Sequence, residues 1–64
     1  MKREKLQEFR QSKKLTQEQM ANQLNITVSH YKALEYGQRS PSFELMKKIK
    51  EVFPKASIDK IFLS

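Results

Sequence analysis

The sequence TQEQMANQLNIT, residues 16–27, decides how this chain of 64 residues folds. Thr16 with Gln19 three residues later fits a capping box, in which the two side chains satisfy free N–H groups at the start of a helix. Asn25 follows the apolar residues of that helix, and asparagine tolerates the left-handed backbone that ends one. Thr27 is suited to cap the next helix. The stretch therefore predicts two short helices joined by a tight turn.

The second helix of this pair is predicted from Val28 to Tyr36, because Gly37, the one glycine in the chain, stands where a helix stop belongs. Spacings of three and four residues divide this helix into two sides. The side predicted to pack into the core holds Tyr31, Leu34 and Glu35. The opposite side holds Val28, Ser29, Lys32, Ala33 and Tyr36.

A helix over residues 2–12 is predicted ahead of this pair, since no breaker interrupts its thin apolar stripe. Arg10 lies on that inward stripe, four residues after Leu6, and Glu35 lies on the inward side of the third helix, four residues after Tyr31. A buried charge needs an opposite partner. We therefore predict a bidentate Arg10–Glu35 ion pair, whose disruption would typically cost about 3–5 kcal/mol. The alternative is that both charges are solvated.

Two more helices are predicted after the pair. Either Ser40 or Ser42 caps the fourth helix, whose amphipathic stripe is the strongest in the chain. Pro54 ends this helix, and Ser57 opens a short last one. The sequence thus predicts an all-α fold, a compact arrangement of five helices in a single domain over residues 1–64.

Composition excludes several classes of protein. The chain has no cysteine, so neither a disulfide nor a thiolate zinc site is expected. His30 and Asp59 are the single residues of their kinds and no glycine-rich phosphate loop is present, so we expect no catalytic residues, no metal, no cofactor and no enzymatic activity. The longest clearly apolar run is residues 61–63, whereas a bilayer span needs about 20 residues. No signal peptide is recognisable, and a cytoplasmic location is expected.

Charge points to the kind of partner. Thirteen lysines and arginines outweigh seven aspartates and glutamates, which gives a net charge of +6 and a pI near 9.9. A positive excess of this size in so small a chain favours an anionic partner, and nucleic acid is the first candidate.

The residues quoted above resemble the phage-repressor-like helix-turn-helix family, the Cro-like or xenobiotic-response-element class. The resemblance rests on TQEQMA at residues 16–21, LNIT at residues 24–27, Leu34-Glu35 with Gly37, and Pro41, and it extends over residues 4–62. It implies a five-helix DNA-binding domain whose third helix enters the major groove. It also implies an ion pair between an arginine of helix one and Glu35. The chain departs from the family pattern at Asn25, where glycine is usual, and at Tyr31, where an aliphatic residue is usual.

On this reading the outward side of the third helix meets base edges, since an α-helix fits a major groove about 12 Å wide. The residues predicted to read bases are Val28, Ser29, Lys32 and Ala33. Phosphate contacts position a protein without specifying sequence, and they are expected beside this helix. The residues predicted to hold phosphates are Lys13, Lys14, Gln17, Thr27, Gln38, Arg39 and Ser40. The alternatives are that Val28 and Ala33 only pack or cap, and that the lysines are only solvated.

The predicted function is sequence-specific binding of double-stranded DNA by a small transcriptional regulator, a repressor, with no small-molecule ligand. A homodimer on a palindromic operator is expected, because one domain makes few contacts and the apolar residues 58–63 exceed what closing the core requires. The alternative function is an antitoxin-like subunit that binds an acidic protein. A membrane-surface helix is disfavoured, since the apolar stripe of helix four is needed for the core. Phe43 is expected either under the loop before this helix or beside the DNA backbone.

Overall fold

The computed structural model describes residues 2–62, which form five helices and no strand. The helices are α1 (Glu4–Ser12), α2 (Gln17–Gln23), α3 (Val28–Glu35), α4 (Phe43–Val52) and α5 (Ile58–Phe62). The predicted all-α fold of five helices is confirmed. Met1, Leu63 and Ser64, which the predicted domain and the apolar tail include, lie outside the described residues. Within residues 2–62, no helix combines the length and the hydropathy that crossing a bilayer requires.

Two helix boundaries differ from the prediction. α1 begins at Glu4 rather than at residue 2, because Arg3 has a non-helical backbone (φ −88°, ψ 82°) and its N–H donates to the carbonyl of Glu35 at 2.6 Å. α3 ends at Glu35, one residue before the predicted end, and Tyr36 is its C-cap. The first difference arises from a contact between distant parts of the chain, which a local pattern does not contain.

Hydroxyl side chains begin four of the helices, and at α5 the predicted Ser57 accepts a hydrogen bond from the N–H of Lys60 at 3.4 Å. Thr16 accepts a hydrogen bond from the N–H of Gln19 at 3.1 Å, and the Gln19 side chain accepts one from the N–H of Thr16 at 2.9 Å, which completes the predicted capping box. Thr27 caps α3 by accepting from the N–H of His30 at 3.1 Å, and Ser42 caps α4 in the same way at 3.1 Å. Ser42, rather than Ser40, is therefore the cap of α4, and such a cap typically contributes about 1 kcal/mol.

A left-handed residue ends each of the first three helices: Lys14 (φ 58°), Asn25 (φ 59°) and Gly37 (φ 77°). In each case this residue and the one after it donate back to carbonyls of the last turn at 2.9–3.3 Å, the two bonds of a Schellman motif. Asn25 and Gly37 are the stops that the sequence predicts. Lys14 was predicted to hold a phosphate but not to end a helix, and its left-handed backbone costs roughly 1–2 kcal/mol relative to glycine.

All five helices contribute to the core of the described chain, and α3 lies at its centre. α3 packs against α2 and α1, and α1 also packs against α5. The buried apolar residues are Leu6, Met20, Ala21, Leu24, Tyr31, Leu34, Leu45, Ile49, Ala56 and Ile61. Because neighbours cover one side of α3, its opposite side is left for contacts outside the molecule.

Candidate nucleic-acid interface

α3 presents two chemically different sides, and the structure separates them as the spacing predicts. Tyr31, Leu34 and Glu35 are buried, with no more than 4% of any of them exposed. Ser29 and Lys32 are exposed on the other side. Two of the four predicted base-reading residues, one with a hydroxyl and one with an ammonium, are thus exposed to solvent.

The other two predicted base-reading residues are less open. Val28 and Ala33 are half-buried, and Val28 packs against the core. The carbonyl of Ala33 also accepts the N–H groups of Gln38 and Arg39, at 2.9 and 3.3 Å, so this position helps to shape the turn after α3. The alternative role is therefore present for both residues, as packing for Val28 and as a backbone contact to the turn for Ala33, and each side chain stays partly accessible.

The predicted phosphate-binding residues fall into two groups by exposure and partners. Lys13, Lys14, Thr27, Gln38, Arg39 and Ser40 are exposed, whereas Gln17 is half-buried. The Gln17 amide donates to Oε1 of Glu35 at 3.1 Å, and the Thr27 hydroxyl caps α3. For these two residues, a phosphate contact must share a group that already has a partner within the fold.

Lys13 also has a partner inside the molecule. Its ammonium lies over the rings of Phe9 and Phe53, 5.5 and 5.9 Å from their centroids. These two rings pack edge to face with their centroids 5.2 Å apart. Lys13 therefore covers an aromatic pair between α1 and the end of α4, a structural contribution that the expectation of a solvated lysine did not include.

At the N-terminal end of α4, Phe43 projects into solvent with 72% of its surface exposed. The ammonium of Lys47 lies 5.7 Å from the centroid of its ring. Phe43 therefore does not pack under the loop, which was one of its two expected positions.

The carboxylate of Glu35 is the polar centre of the structure. Arg10 of α1 donates from Nε to Oε2 at 2.6 Å, and the hydroxyl of Tyr31 donates to the same oxygen at 2.6 Å. Gln17 of α2 donates to Oε1 at 3.1 Å. The predicted partners Arg10 and Glu35 are thus in contact, and a tyrosine at the aliphatic position supplies one more donor.

The ion pair is not bidentate as predicted. Arg10 uses Nε for the carboxylate, while its Nη1 donates to the carbonyl of Leu15 at 2.8 Å. The reason is geometric: Leu15 follows the left-handed turn at Lys14 and brings its carbonyl within reach of the guanidinium. Arg10 consequently joins α3 to the link between α1 and α2 as well.

Charge and burial act in opposite directions on Glu35. Burial alone would raise the pKa of Glu35, but hydrogen bonds from Arg10, Tyr31 and Gln17 outweigh it and hold the pKa below its ordinary value. Burial and the bond to Glu35 raise the pKa of Tyr31, so its hydroxyl stays protonated and remains a donor. The hydrogen bond to Glu35 raises the pKa of Arg10. Each donor is therefore in the protonation state that the carboxylate requires.

Sequence reasoning missed two contributions at the end of α3. Arg3 donates from Nη1 to the carbonyls of Leu34 and Arg39, each at 2.8 Å. Lys2 places its ammonium 5.7 Å from the centroid of the Tyr36 ring. No local pattern could reveal these contacts, because more than 30 residues separate the partners along the chain; the basic start of the chain was the one available signal.

A family model described as helix-turn-helix matches residues 6–61, which is most of the chain. Among curated proteins and among solved structures, no match was found.

Removing the hydroxyl of Tyr31 tests the polar centre. We expect Tyr31→Phe to lower the free energy of unfolding by about 1.5–3 kcal/mol, since it deletes a hydrogen bond to a buried charge. In a domain of this size each kcal/mol lowers Tm by roughly 4–8 °C. Tyr36→Phe is the matched control, because Tyr36 is 43% exposed, and its effect should stay within about 0.5 kcal/mol. Equal Tm values for the two variants would contradict the assigned role.

Low pH should reduce the stability that the Glu35 carboxylate contributes to the fold. A carboxylate whose pKa is lowered by folding contributes stability that is complete above its unfolded pKa, about 4.3 for glutamate, and that is lost as the pH falls through the lowered native value. Urea unfolding of the parent and of Glu35→Gln should therefore show a difference in stability that is constant near neutral pH and shrinks below about pH 4.3. A difference that stays constant throughout the acid range would show that Glu35 is not held as an anion.

Proposed function

This chain belongs to the helix-turn-helix family of DNA-binding transcriptional regulators, and from that premise we propose that it is a sequence-specific repressor acting through one domain. In this proposal α3 lies in the major groove of double-stranded DNA, and the residues beside it hold the phosphates. The proposed location is the cytoplasm, where this partner would be met. Repression is the simpler regulatory role, because occupying a promoter site requires no further contact.

The observation that carries this proposal is the two-sided character of α3. Its buried side is fixed by Glu35, and its open side offers Ser29 and Lys32. A hydroxyl can donate to or accept from a base edge, and an ammonium can donate to O6 and N7 of guanine. The half-buried Val28 and Ala33 leave apolar surface beside them that suits thymine methyl groups. These four side chains supply a small reading surface, so DNA shape is expected to add to specificity.

The proposed phosphate contacts lie on both sides of this reading surface. Gln38, Arg39 and Ser40 are exposed in the turn after α3, and Lys13 and Lys14 are exposed before α2. The N-terminus of α2 adds N–H groups at the positive end of a helix dipole, which favours an anion near Gln17. Such contacts make the affinity for DNA fall as the salt concentration rises. The logarithm of the binding constant falls with the logarithm of the salt concentration, with a slope of about −0.9 for each phosphate neutralised.

A second role, as a subunit that binds an acidic protein partner in the manner of antitoxins, is favoured by one observation. Phe43 is 72% exposed and carries Lys47 over its ring. An exposed aromatic residue beside a lysine suits the surface of an acidic protein. Co-purification of a stoichiometric partner would separate this role from DNA binding alone.

Two alanine variants separate base reading from phosphate contact. We expect Lys32→Ala to lower affinity for the operator about 5- to 150-fold, which corresponds to a loss of about 1–3 kcal/mol of binding free energy. Its affinity for a random duplex should change much less. Arg39→Ala should weaken both duplexes alike and reduce the steepness of the salt dependence by about 0.9. Lys55→Ala, at an exposed lysine between α4 and α5, is the control for charge alone. Fluorescence anisotropy after random-site selection measures all three. Equal losses on both duplexes for Lys32→Ala would contradict its assignment.

We further propose that two copies bind one operator through twofold-related half-sites about 34 Å apart. Residues 58–62 support this, since Ile61 is buried while Ile58 and Phe62 are only half-buried at the surface of the core. Sedimentation with a palindromic duplex should show two chains bound cooperatively, and a duplex with one half-site should bind more weakly. Independent binding of one chain to each half-site would contradict the dimer.

A further inference from the structure

The segment before α1 is hydrogen-bonded to the C-terminal end of α3. The backbone N–H of Arg3 donates to the carbonyl of Glu35 at 2.6 Å. Its Nη1 donates to the carbonyl of Leu34 and to that of Arg39, both at 2.8 Å. One residue from the start of the chain thus holds the last turn of α3 and the turn that follows it.

These bonds satisfy groups that the helix itself leaves open. The last four carbonyls of an α-helix have no partner within the helix, and Leu34 and Glu35 are among them. A cation at this end is also favoured by the helix dipole. The guanidinium of Arg3 lies 5.8 Å from the centroid of the Phe62 ring, which ties it to α5 as well. Arg3 is therefore restrained from three directions.

The two hydrogen bonds from Nη1 of Arg3 set the distance between two parts of the proposed DNA-binding surface. Leu34 belongs to α3, whereas Arg39 lies in the exposed turn that is proposed to hold phosphate. Because one nitrogen, Nη1, donates to both carbonyls, the turn cannot move from the helix without breaking a hydrogen bond. A base-reading helix and a phosphate-binding turn must keep a fixed offset to engage the groove and the backbone together.

The hydrogen bonds of Arg3 also bring the neighbouring Lys2 close to Tyr36, at the C-terminal end of α3. Its ammonium lies 5.7 Å from the centroid of Tyr36, the C-cap of α3, which is 43% exposed. Lys2 is itself exposed. An ammonium above a ring keeps N–H donors that point away from the ring, and these are free to meet a phosphate oxygen.

We propose that residues 2 and 3 are part of the DNA-binding surface, with Arg3 as a positioning residue that locks the turn after α3 and Lys2 as a phosphate contact at that end of the helix. This inference rests on the proposed function and assigns it two residues outside the helix-turn-helix. Both hydrogens of the Arg3 Nη1 are directed at carbonyls, so Arg3 acts through the turn, while Lys2 acts on the DNA.

The two roles predict different changes in binding. Lys2→Gln should reduce the steepness of the salt dependence by about 0.9 and leave the ratio of operator to random affinity unchanged. Arg3→Gln should lower that ratio several-fold, with a salt dependence close to that of the parent. It should also shift the amide resonances of residues 37–40 in the free protein, a readout that loss of charge alone would not move.

Lys5→Gln is the matched control, because Lys5 is exposed in the first turn of α1 and its ammonium lies 3.9 Å from the carboxylate of Glu8. Arg3→Lys keeps the charge without the planar guanidinium, so it separates charge from geometry if Arg3→Gln folds poorly. We expect Arg3→Lys to lower the ratio as well, at an almost unchanged salt slope.

The outcomes distinguish this inference from the function on which it rests. A parent protein that binds operator specifically, with Lys2→Gln, Arg3→Gln and Arg3→Lys all behaving like Lys5→Gln, overturns this inference alone. A parent protein that prefers no duplex overturns the proposed function and this inference together. Binding by anisotropy and amide spectra of the full chain provide both results.

Discussion

A single buried carboxylate fixes the positions of three helices of this protein relative to one another. Among residues 2–62, Glu35 is the one charged residue that is buried, with 4% of its surface exposed. It receives donors from α1, α2 and α3 through Arg10, Gln17 and Tyr31. A helix that packs through apolar contacts alone can rotate at modest cost. Rotation of α3, in contrast, would move the Glu35 carboxylate away from Arg10 and Gln17 and leave a buried charge without these donors. The residues on the open side of α3 are therefore fixed by the chemistry of its buried side.

This arrangement favours specificity of structure over stability. Replacing a buried ion pair by well-packed apolar residues is often neutral or stabilising, while removing one partner is costly. The free-energy cost of burying this charge is limited here because every buried side-chain nitrogen and oxygen in the described part of the chain has a hydrogen-bond partner. A chain of 64 residues buries a limited core, so a polar centre that admits one orientation of α3 compensates for the small number of apolar contacts. We interpret the Glu35 centre as the feature that makes a small core specify one orientation of the exposed side of α3.

Features that depend on neighbouring residues could be predicted from the sequence, and features that depend on distant ones were only partly predicted. Thr16, Thr27 and the stops at Asn25 and Gly37 act within a few residues, and the structure contains all of them. Arg10 and Glu35 could be paired because two charges on inward stripes require each other. The bonds from Gln17 to Glu35 and from Arg3 to the end of α3 were missed, because neither residue breaks its local pattern. The left-handed backbone of Lys14 was missed as well, since a lysine gives no signal of it.

We propose above all that the buried carboxylate turns Ser29 and Lys32 toward DNA. Nuclear magnetic resonance of the isotope-labelled protein, titrated with a duplex obtained by selection, tests this claim residue by residue. We predict that the largest amide shift changes fall in residues 28–33 and 38–40, with small changes along α4 beyond its first turn. Changes centred on the later part of α4 or on α5, with the open side of α3 unaffected, would contradict it.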